Sequence, residues 1–186
     1  METAIVAGSI SEIAKTSGKP LSLAFMDVEI VVVIDTSGSM ATDDSRAGRS
    51  RYDVACDELR LLQGRNPGKI LVISFSNSAQ VCLSGIPYFE GGGTDMAEAL
   101  RFAKQYDTPG MQFIVISDGE PYSEQDALSM AGQYQSPIST VYVGPESDRR
   151  GREFLRRLAA AAGGKTVTAD RAKELAASIQ TLLLKG

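Results

Sequence analysis

Five oxygen-bearing side chains stand at positions where a fold could gather them around a metal ion. They are Asp35, Ser37, Ser39, Thr94 and Asp118. The first three follow an apolar stretch at 28–34, the fourth follows three consecutive glycines, and the last follows an apolar stretch at 113–116. Carboxylate and hydroxyl oxygens, with room left for water, favour Mg²⁺ or Mn²⁺ over zinc or copper. The residue types therefore indicate an oxygen-only site for a divalent cation.

The two apolar stretches predict strands buried on both faces, as in a parallel sheet covered by helices. From residue 28 onward, strand and helix patterns alternate, which is typical of a doubly wound α/β fold. The segment 76–78 is too short for a crossover helix, so the strand after it should run antiparallel at the sheet edge. The predicted strands are 28–34, 69–75, 78–83, 112–117, 138–143 and 165–168, and the predicted helices are 51–63, 95–106, 123–133, 149–161 and 170–184.

The three segments together resemble the von Willebrand factor type A (vWA) domain. Its metal-ion-dependent adhesion site (MIDAS) is written D-x-S-x-S, then Thr, then Asp, and these positions fall on the five residues above in the family's order. The resemblance begins near Phe25, so we predict a vWA domain at 25–186 after a helix and linker at 1–24. It implies a Rossmann-like, mostly parallel six-stranded sheet in the order 3-2-1-4-5-6, with one antiparallel edge strand. Ligands of such sheets bind where the strand order reverses, here between the strands ending near Asp35 and Asp118.

The resemblance also implies a function. Carried over from the family, Ser37, Ser39 and sometimes Thr94 would bind Mg²⁺ (or Mn²⁺) directly, while the two aspartates often act through water. One coordination position then remains for an Asp or Glu side chain of a partner protein. The chain is therefore expected to be a metal-dependent protein-binding module and not an enzyme. Compact relatives of this kind occur with ATPase or stress-response assemblies.

Other functions remain open at this stage. The five side chains could cap helices and satisfy turns without a metal, or the motif could be kept without holding one. The same ion could support metal-assisted hydrolysis or phosphoryl transfer. Against this, Ser37 stands where a haloacid-dehalogenase-type phosphatase needs a second Asp, and no P-loop or dinucleotide glycine pattern follows the first strand. A scaffold with a purely structural ion is the third alternative.

Composition excludes several other functions. The chain of 186 residues suits one domain and contains no histidine, which removes imidazole-based nucleophilic schemes and most zinc sites. A formal net charge of −4 gives no overall attraction to polyanions, so nucleic acid and anionic membranes are not expected as partners. Two cysteines make no disulfide framework, no apolar stretch could span a bilayer, and an acid stands at position 2. We therefore expect a cytoplasmic protein.

Three further groups have two interpretations each. The polar loop residues Asp43, Asp44, Arg46, Arg49 and Arg51 could select the partner or form an ordinary solvated loop. The aromatic residues Tyr88, Phe89 and Tyr122 could be exposed contact anchors or be buried under the loops. The apolar residues Ile5, Val6, Ile10 and Ile13 are spaced like one helical face, which could cover the domain itself or dock a partner.

Overall fold

The computed structural model describes residues 5–168, which form one six-stranded sheet with helices on both faces. The strands are β1 (Ile30–Asp35), β2 (Ile70–Phe75), β3 (Ala79–Val81), β4 (Gln112–Ser117), β5 (Ile138–Tyr142) and β6 (Thr166–Thr168). The helices are α1 (Ile10–Ser17), α2 (Leu21–Phe25), α3 (Arg51–Arg65), α4 (Met96–Ala103), α5 (Glu124–Ala131) and α6 (Arg149–Ala161). The predicted helix at 170–184 lies outside the described residues.

The sheet order is β3-β2-β1-β4-β5-β6, which confirms the predicted order and fold class. β1 pairs in parallel with both β2 and β4, with Ile30 opposite Ile70 on one side and Gln112 on the other. β3 pairs antiparallel with β2, so it is the edge strand expected from the short connection before it. The strand order therefore reverses between β1 and β4, so the ligand crevice expected of such sheets lies at the carboxyl ends of these two strands.

Side chains of β1 are buried on both faces of the sheet. Val31 and Val33 belong to a core cluster that also contains apolar residues of α4, α5 and α6, whereas Ile30, Val32 and Ile34 pack in a second cluster with residues of α3. Each fully buried Val or Ile contributes about 1.5–3 kcal/mol relative to an exposed one. The central strand is thereby fixed from both sides, and so is Asp35 at its end.

Helix ends follow signals present in the sequence. The hydroxyl of Ser50 accepts a hydrogen bond from the Asp53 backbone N–H at 3.0 Å and caps α3. Ser123 caps α5 in the same way, through the Asp126 N–H at 3.2 Å. Gly163, with φ of 69°, follows α6 in the left-handed conformation that commonly ends a helix. Within residues 5–168, no helix is both long enough and apolar enough to cross a bilayer.

The N-terminal segment differs from its prediction. α1 begins only at Ile10, because Ser9 caps it by accepting a hydrogen bond from the Glu12 N–H at 3.2 Å. Ile5 and Val6 precede the helix, so the prediction that they share its apolar face was wrong. The stretch predicted as a linker contains the short helix α2. Ile10 packs in the same core cluster as β1, so α1 covers its own domain.

Candidate metal-binding site

Asp35 ends β1 and is fully buried beneath the crevice. Its Oδ1 accepts a hydrogen bond from the Ser37 N–H at 2.9 Å, and its Oδ2 accepts one from the Ser117 hydroxyl at 2.7 Å. Burial, followed by the negative charge of Asp118, raises the pKa of Asp35 to about 7. The two carboxylates are therefore close enough to repel each other in a region that excludes water.

The hydroxyls of Ser37 and Ser39 lie together on the loop after β1. Their Oγ atoms are 3.3 Å apart, with Ser37 fully buried and Ser39 half-buried. The Gly38 N–H between them donates to the Gly92 carbonyl at 2.9 Å. A Cβ on Gly38 would approach that carbonyl oxygen to 3.2 Å, so a glycine lets the two loops lie this close.

Thr94 lies on the glycine-rich loop before α4, and it is 6% exposed. Its loop is tied to the first segment by the Gly91 N–H, which donates to the Thr36 carbonyl at 2.9 Å. Its own carbonyl accepts a hydrogen bond from the Tyr122 N–H at 3.0 Å, on the loop after β4. The structure thus joins all three predicted segments at the carboxyl edge of the sheet.

Asp118 directly follows β4 and is fully buried, and its main partner is a residue that the motif does not include. The Arg51 guanidinium donates to Asp118 Oδ2 at 2.6 Å and to Glu120 Oε1 at 3.0 Å. It also donates to both carboxylate oxygens of Asp44, at 2.8 and 2.9 Å. Hydrogen bonds to Asp44 and Asp118 raise the pKa of Arg51 further, so the side chain stays cationic. A solvated-loop position was the wrong interpretation for Arg51, which begins α3 and is 7% exposed.

Ser117 is a second residue that the sequence reasoning missed. Besides donating to Asp35, its hydroxyl accepts a hydrogen bond from the Gly119 N–H at 3.0 Å. It orients one aspartate of the site and fixes the backbone next to the other. A fully buried polar side chain at the end of the otherwise apolar strand β4 was the available signal.

The aromatic residues at the rim are exposed, which decides between their two interpretations. Tyr122 is 67% exposed, Tyr88 58% and Phe89 42%. The Tyr122 hydroxyl donates to Asn77 Oδ1 at 2.8 Å and lies over Gly93, where any Cβ would overlap it. These side chains offer apolar contact area beside the crevice.

The donor set fits a hard divalent cation. Two buried carboxylates lie near one another, and the adjacent hydroxyls of Ser37 and Ser39, together with that of Thr94, would supply further oxygen ligands. A cation between the loops would offset the repulsion that raises the pKa of Asp35. Within the described ranges, no three or more His, Cys, Asp and Glu side chains are grouped to hold a metal, so hydroxyls would have to complete the ligand set.

Comparison with known sequences gives distant relatives. No protein-family model matches the chain. Over 164 residues it is 27% identical to calcium-activated chloride channel regulator 1 of Mus musculus, and over 166 residues it is 26% identical to that of Equus caballus. The matches cover 76% and 77% of this chain but only 17% of each relative. The chain therefore corresponds to a small part of these longer proteins.

Comparison with solved structures shows the fold. BatB from Bacteroides thetaiotaomicron is 20% identical with a TM-score of 0.67, covering 84% of this chain and 98% of that one. The vWF domain of the type V pili tip protein Mfa5 from Porphyromonas gingivalis is 12% identical with a TM-score of 0.59, covering 83% and 95%. The manganese-loaded TRAP protein of Plasmodium vivax is 16% identical with a TM-score of 0.57, covering 80% and 71%.

Proposed function

Because the chain has the fold of a von Willebrand factor type A domain, we propose that it is a protein-binding module that captures an acidic side chain through Mg²⁺ or Mn²⁺ at a MIDAS. The observation that supports this most is the meeting of three loops around two buried aspartates. Burying two like charges together is unfavourable unless a positive charge compensates them. The Arg51 guanidinium contacts Asp118 and compensates part of this charge. A divalent cation would supply the rest, and it would act as a Lewis acid toward a carboxylate oxygen.

Each residue would then have a defined role. The hydroxyls of Ser37, Ser39 and Thr94 would hold the ion, and the carboxylates of Asp35 and Asp118 would balance its charge. Ser117 holds the Asp35 carboxylate in its orientation through the 2.7 Å hydrogen bond. The exposed aromatic residues would contact the partner around its acidic side chain.

Binding is the better-supported activity for this site. The chain has no histidine to serve as a general base, and a solved structure with the same fold belongs to a pilus tip protein. We propose a protein partner presenting Asp or Glu, in a cytoplasmic setting such as an ATPase or stress-response assembly. A generic phosphoester with Mg²⁺ or Mn²⁺ tests the hydrolase alternative, and turnover that Asp35→Ala abolishes would support it.

The first experiment measures the metal alone. Isothermal titration of the metal-free protein with Mn²⁺ and with Mg²⁺ should show one site, and the double variant Ser37→Ala/Ser39→Ala should lose it. Ser129→Ala is the matched control, since this serine is exposed on α5, away from the loops of the crevice. Circular dichroism should show that all variants keep the fold. Binding that survives in the double variant would remove the MIDAS from the proposal.

The second experiment tests capture of a partner. The wild-type chain, immobilised, should retain a protein from native lysate with Mg²⁺ and release it with EDTA. The double serine variant should retain none, and Ser129→Ala should behave like wild type. Replacing each Asp and Glu of the recovered partner by Asn or Gln should then identify one side chain whose loss abolishes capture. Capture that ignores EDTA would instead favour a scaffold with a structural ion.

A further inference from the structure

Arg51 is an unusual neighbour for a cation site. The residue is 7% exposed, and its guanidinium makes four hydrogen bonds to three carboxylates, which belong to the loop before α3 and to the loop after β4. Only one of these carboxylates, Asp118, is a predicted MIDAS residue. A permanent positive charge therefore lies in direct contact with one of the two aspartates that would balance the charge of the metal.

Asp44 takes two of the four hydrogen bonds, but the three carboxylates lie in different environments. Asp118 is fully buried and makes the shortest contact, at 2.6 Å, whereas the side chains of Asp44 and Glu120 are 35% and 50% exposed. Water screens the two exposed groups, but the buried pair interacts in a medium of much lower dielectric constant. Arg51 and Asp118 consequently form a nearly neutral unit beneath the crevice.

This pairing changes the charge balance of the site. Without Arg51, two aspartates would neutralise a divalent cation, and a further carboxylate would bring excess negative charge. With Arg51, a bound divalent cation and the two buried aspartates together carry one positive charge, while Asp44 and Glu120 contact Arg51 from the solvent-exposed side. A single carboxylate from outside restores neutrality.

We propose that Arg51 makes the metal site a receptor for anions, because its charge leaves the bound cation in need of one external carboxylate. This inference rests on the proposed function and adds to it the reason for the acidic ligand. It has two consequences: the ion alone binds weakly, and the ion and a carboxylate strengthen each other's binding, as linkage requires. A neutral carbonyl or amide ligand does not produce this effect.

The test measures Mn²⁺ affinity by titration with and without acetate as the carboxylate probe, and acetamide serves as the neutral control for acetate. For wild type, we expect saturating acetate to tighten Mn²⁺ binding at least tenfold and acetamide to leave it unchanged. Arg51→Gln should bind Mn²⁺ alone at least ten times more tightly than wild type and lose the acetate effect. Arg51→Lys keeps the charge and should retain both wild-type properties.

The matched control is Arg49→Gln, which removes the same charge two positions earlier. Arg49 pairs with Asp57 at the surface of α3 and makes no contact with the site carboxylates. Its Mn²⁺ affinity and acetate effect should stay within twofold of wild type. A thermal melt of each metal-free variant shows whether it is folded.

The outcomes separate this inference from the proposed function. If wild type binds Mn²⁺ but acetate does not tighten the binding, the inference about Arg51 is wrong whether or not Arg51→Gln folds. Weaker Mn²⁺ binding by a folded Arg51→Gln would also overturn it and would show that Arg51 only positions Asp118. Failure of wild type to bind Mn²⁺ or Mg²⁺ at all would instead refute the proposed function.

Discussion

Asp35→Asn should stabilise the metal-free protein while abolishing its capacity to bind a cation. Asp35 is fully buried, and burial together with the charge of Asp118 raises its pKa to about 7. The ionised form is therefore disfavoured in the folded state. Asn has nearly the same shape and no charge, and the Ser117 hydroxyl can reverse its role and accept from the new amide. The carboxylate of Asp35, which the metal would need, thus destabilises the metal-free fold.

The size of this effect follows from the two pKa values. Asp35 titrates near 3.8 when unfolded and near 7 when folded, and each unit of difference corresponds to about 1.4 kcal/mol, so ionised Asp35 costs at most about 4 kcal/mol. Because the pKa of Asp35 is raised in the folded state, the stability that protonated Asp35 contributes is fully present below pH 3.8. It declines as the pH rises and is lost above pH 7. For a domain of this size, about 4 kcal/mol corresponds to a difference in melting temperature of roughly 8–16 °C.

The assay is a pair of thermal melts across the pH range in EDTA. We expect the Asn variant to melt well above wild type at pH 8 and within a few degrees of it at pH 4. All other titrating groups are common to both proteins, so the difference isolates Asp35. Excess Mn²⁺ at pH 8 should raise the melting temperature of wild type and leave that of the variant unchanged.

The reasoning fails if the metal-free variant is less stable than wild type at pH 8. It also fails if the difference between the two proteins does not change with pH. Either result would mean that Asp35 is already compensated in the absence of metal, for instance by hydrogen bonds from Ser37 and Ser117. The case for a cation as the missing charge would then be lost.

Three further changes test other parts of the fold and the rim of the site. Asp107→Asn should destabilise the fold by about 1–3 kcal/mol near pH 7, because burial is outweighed by Lys104 and by backbone N–H donors, which keep the pKa of this carboxyl below its usual value. In urea unfolding, the stability advantage of wild type over Asp107→Asn should be lost as the pH falls through this lowered pKa. A wild-type advantage that stays the same at low pH would contradict the prediction. Gly119→Ala should lower the melting temperature more than Gly163→Ala does. Both glycines have positive φ, but only at Gly119 would a Cβ meet backbone, 2.3 Å from a carbonyl oxygen, and equal losses would refute the steric argument. Tyr122→Ala should change stability by less than about 0.5 kcal/mol, since the side chain is mostly exposed, yet weaken capture of the partner in the pull-down assay; unimpaired capture would exclude this rim contact.

The central part of the fold could be predicted because its sequence pattern has one physical solution. The stretches 30–34 of β1 and 113–116 of β4 are apolar at every position, and only a sheet covered on both sides buries them fully. The short connection after Phe75 likewise fixes an antiparallel β3. β3 is nevertheless shorter than predicted, at Ala79–Val81 against 78–83, because the chain turns after Cys82, with the Gly85 N–H donating to the Cys82 carbonyl.

The N-terminal helix shows where periodicity fails. Four apolar residues at helical spacing suggested one helix from Ile5, but spacing alone does not state where a helix begins. The caps decide this point: Ser9 accepts from Glu12 N–H, and the Glu12 carboxylate accepts from the N–H of Gly8, which has φ of 81°. These signals were present in the sequence and outweigh the spacing of the residues before them.

Arg51 could not have been placed from the sequence, for a reason that applies to charge in any buried site. A motif names residues by their spacing along the chain, whereas Arg51 meets Asp118 across 67 positions, through the packing of α3 against β1. The same five oxygen ligands could form a neutral or a positively charged metal centre, depending on which counter-charge the fold brings beside them. The ligand set therefore favours a class of metal, and, as we propose, the neighbouring arginine would decide whether a bound metal needs an anion from a partner.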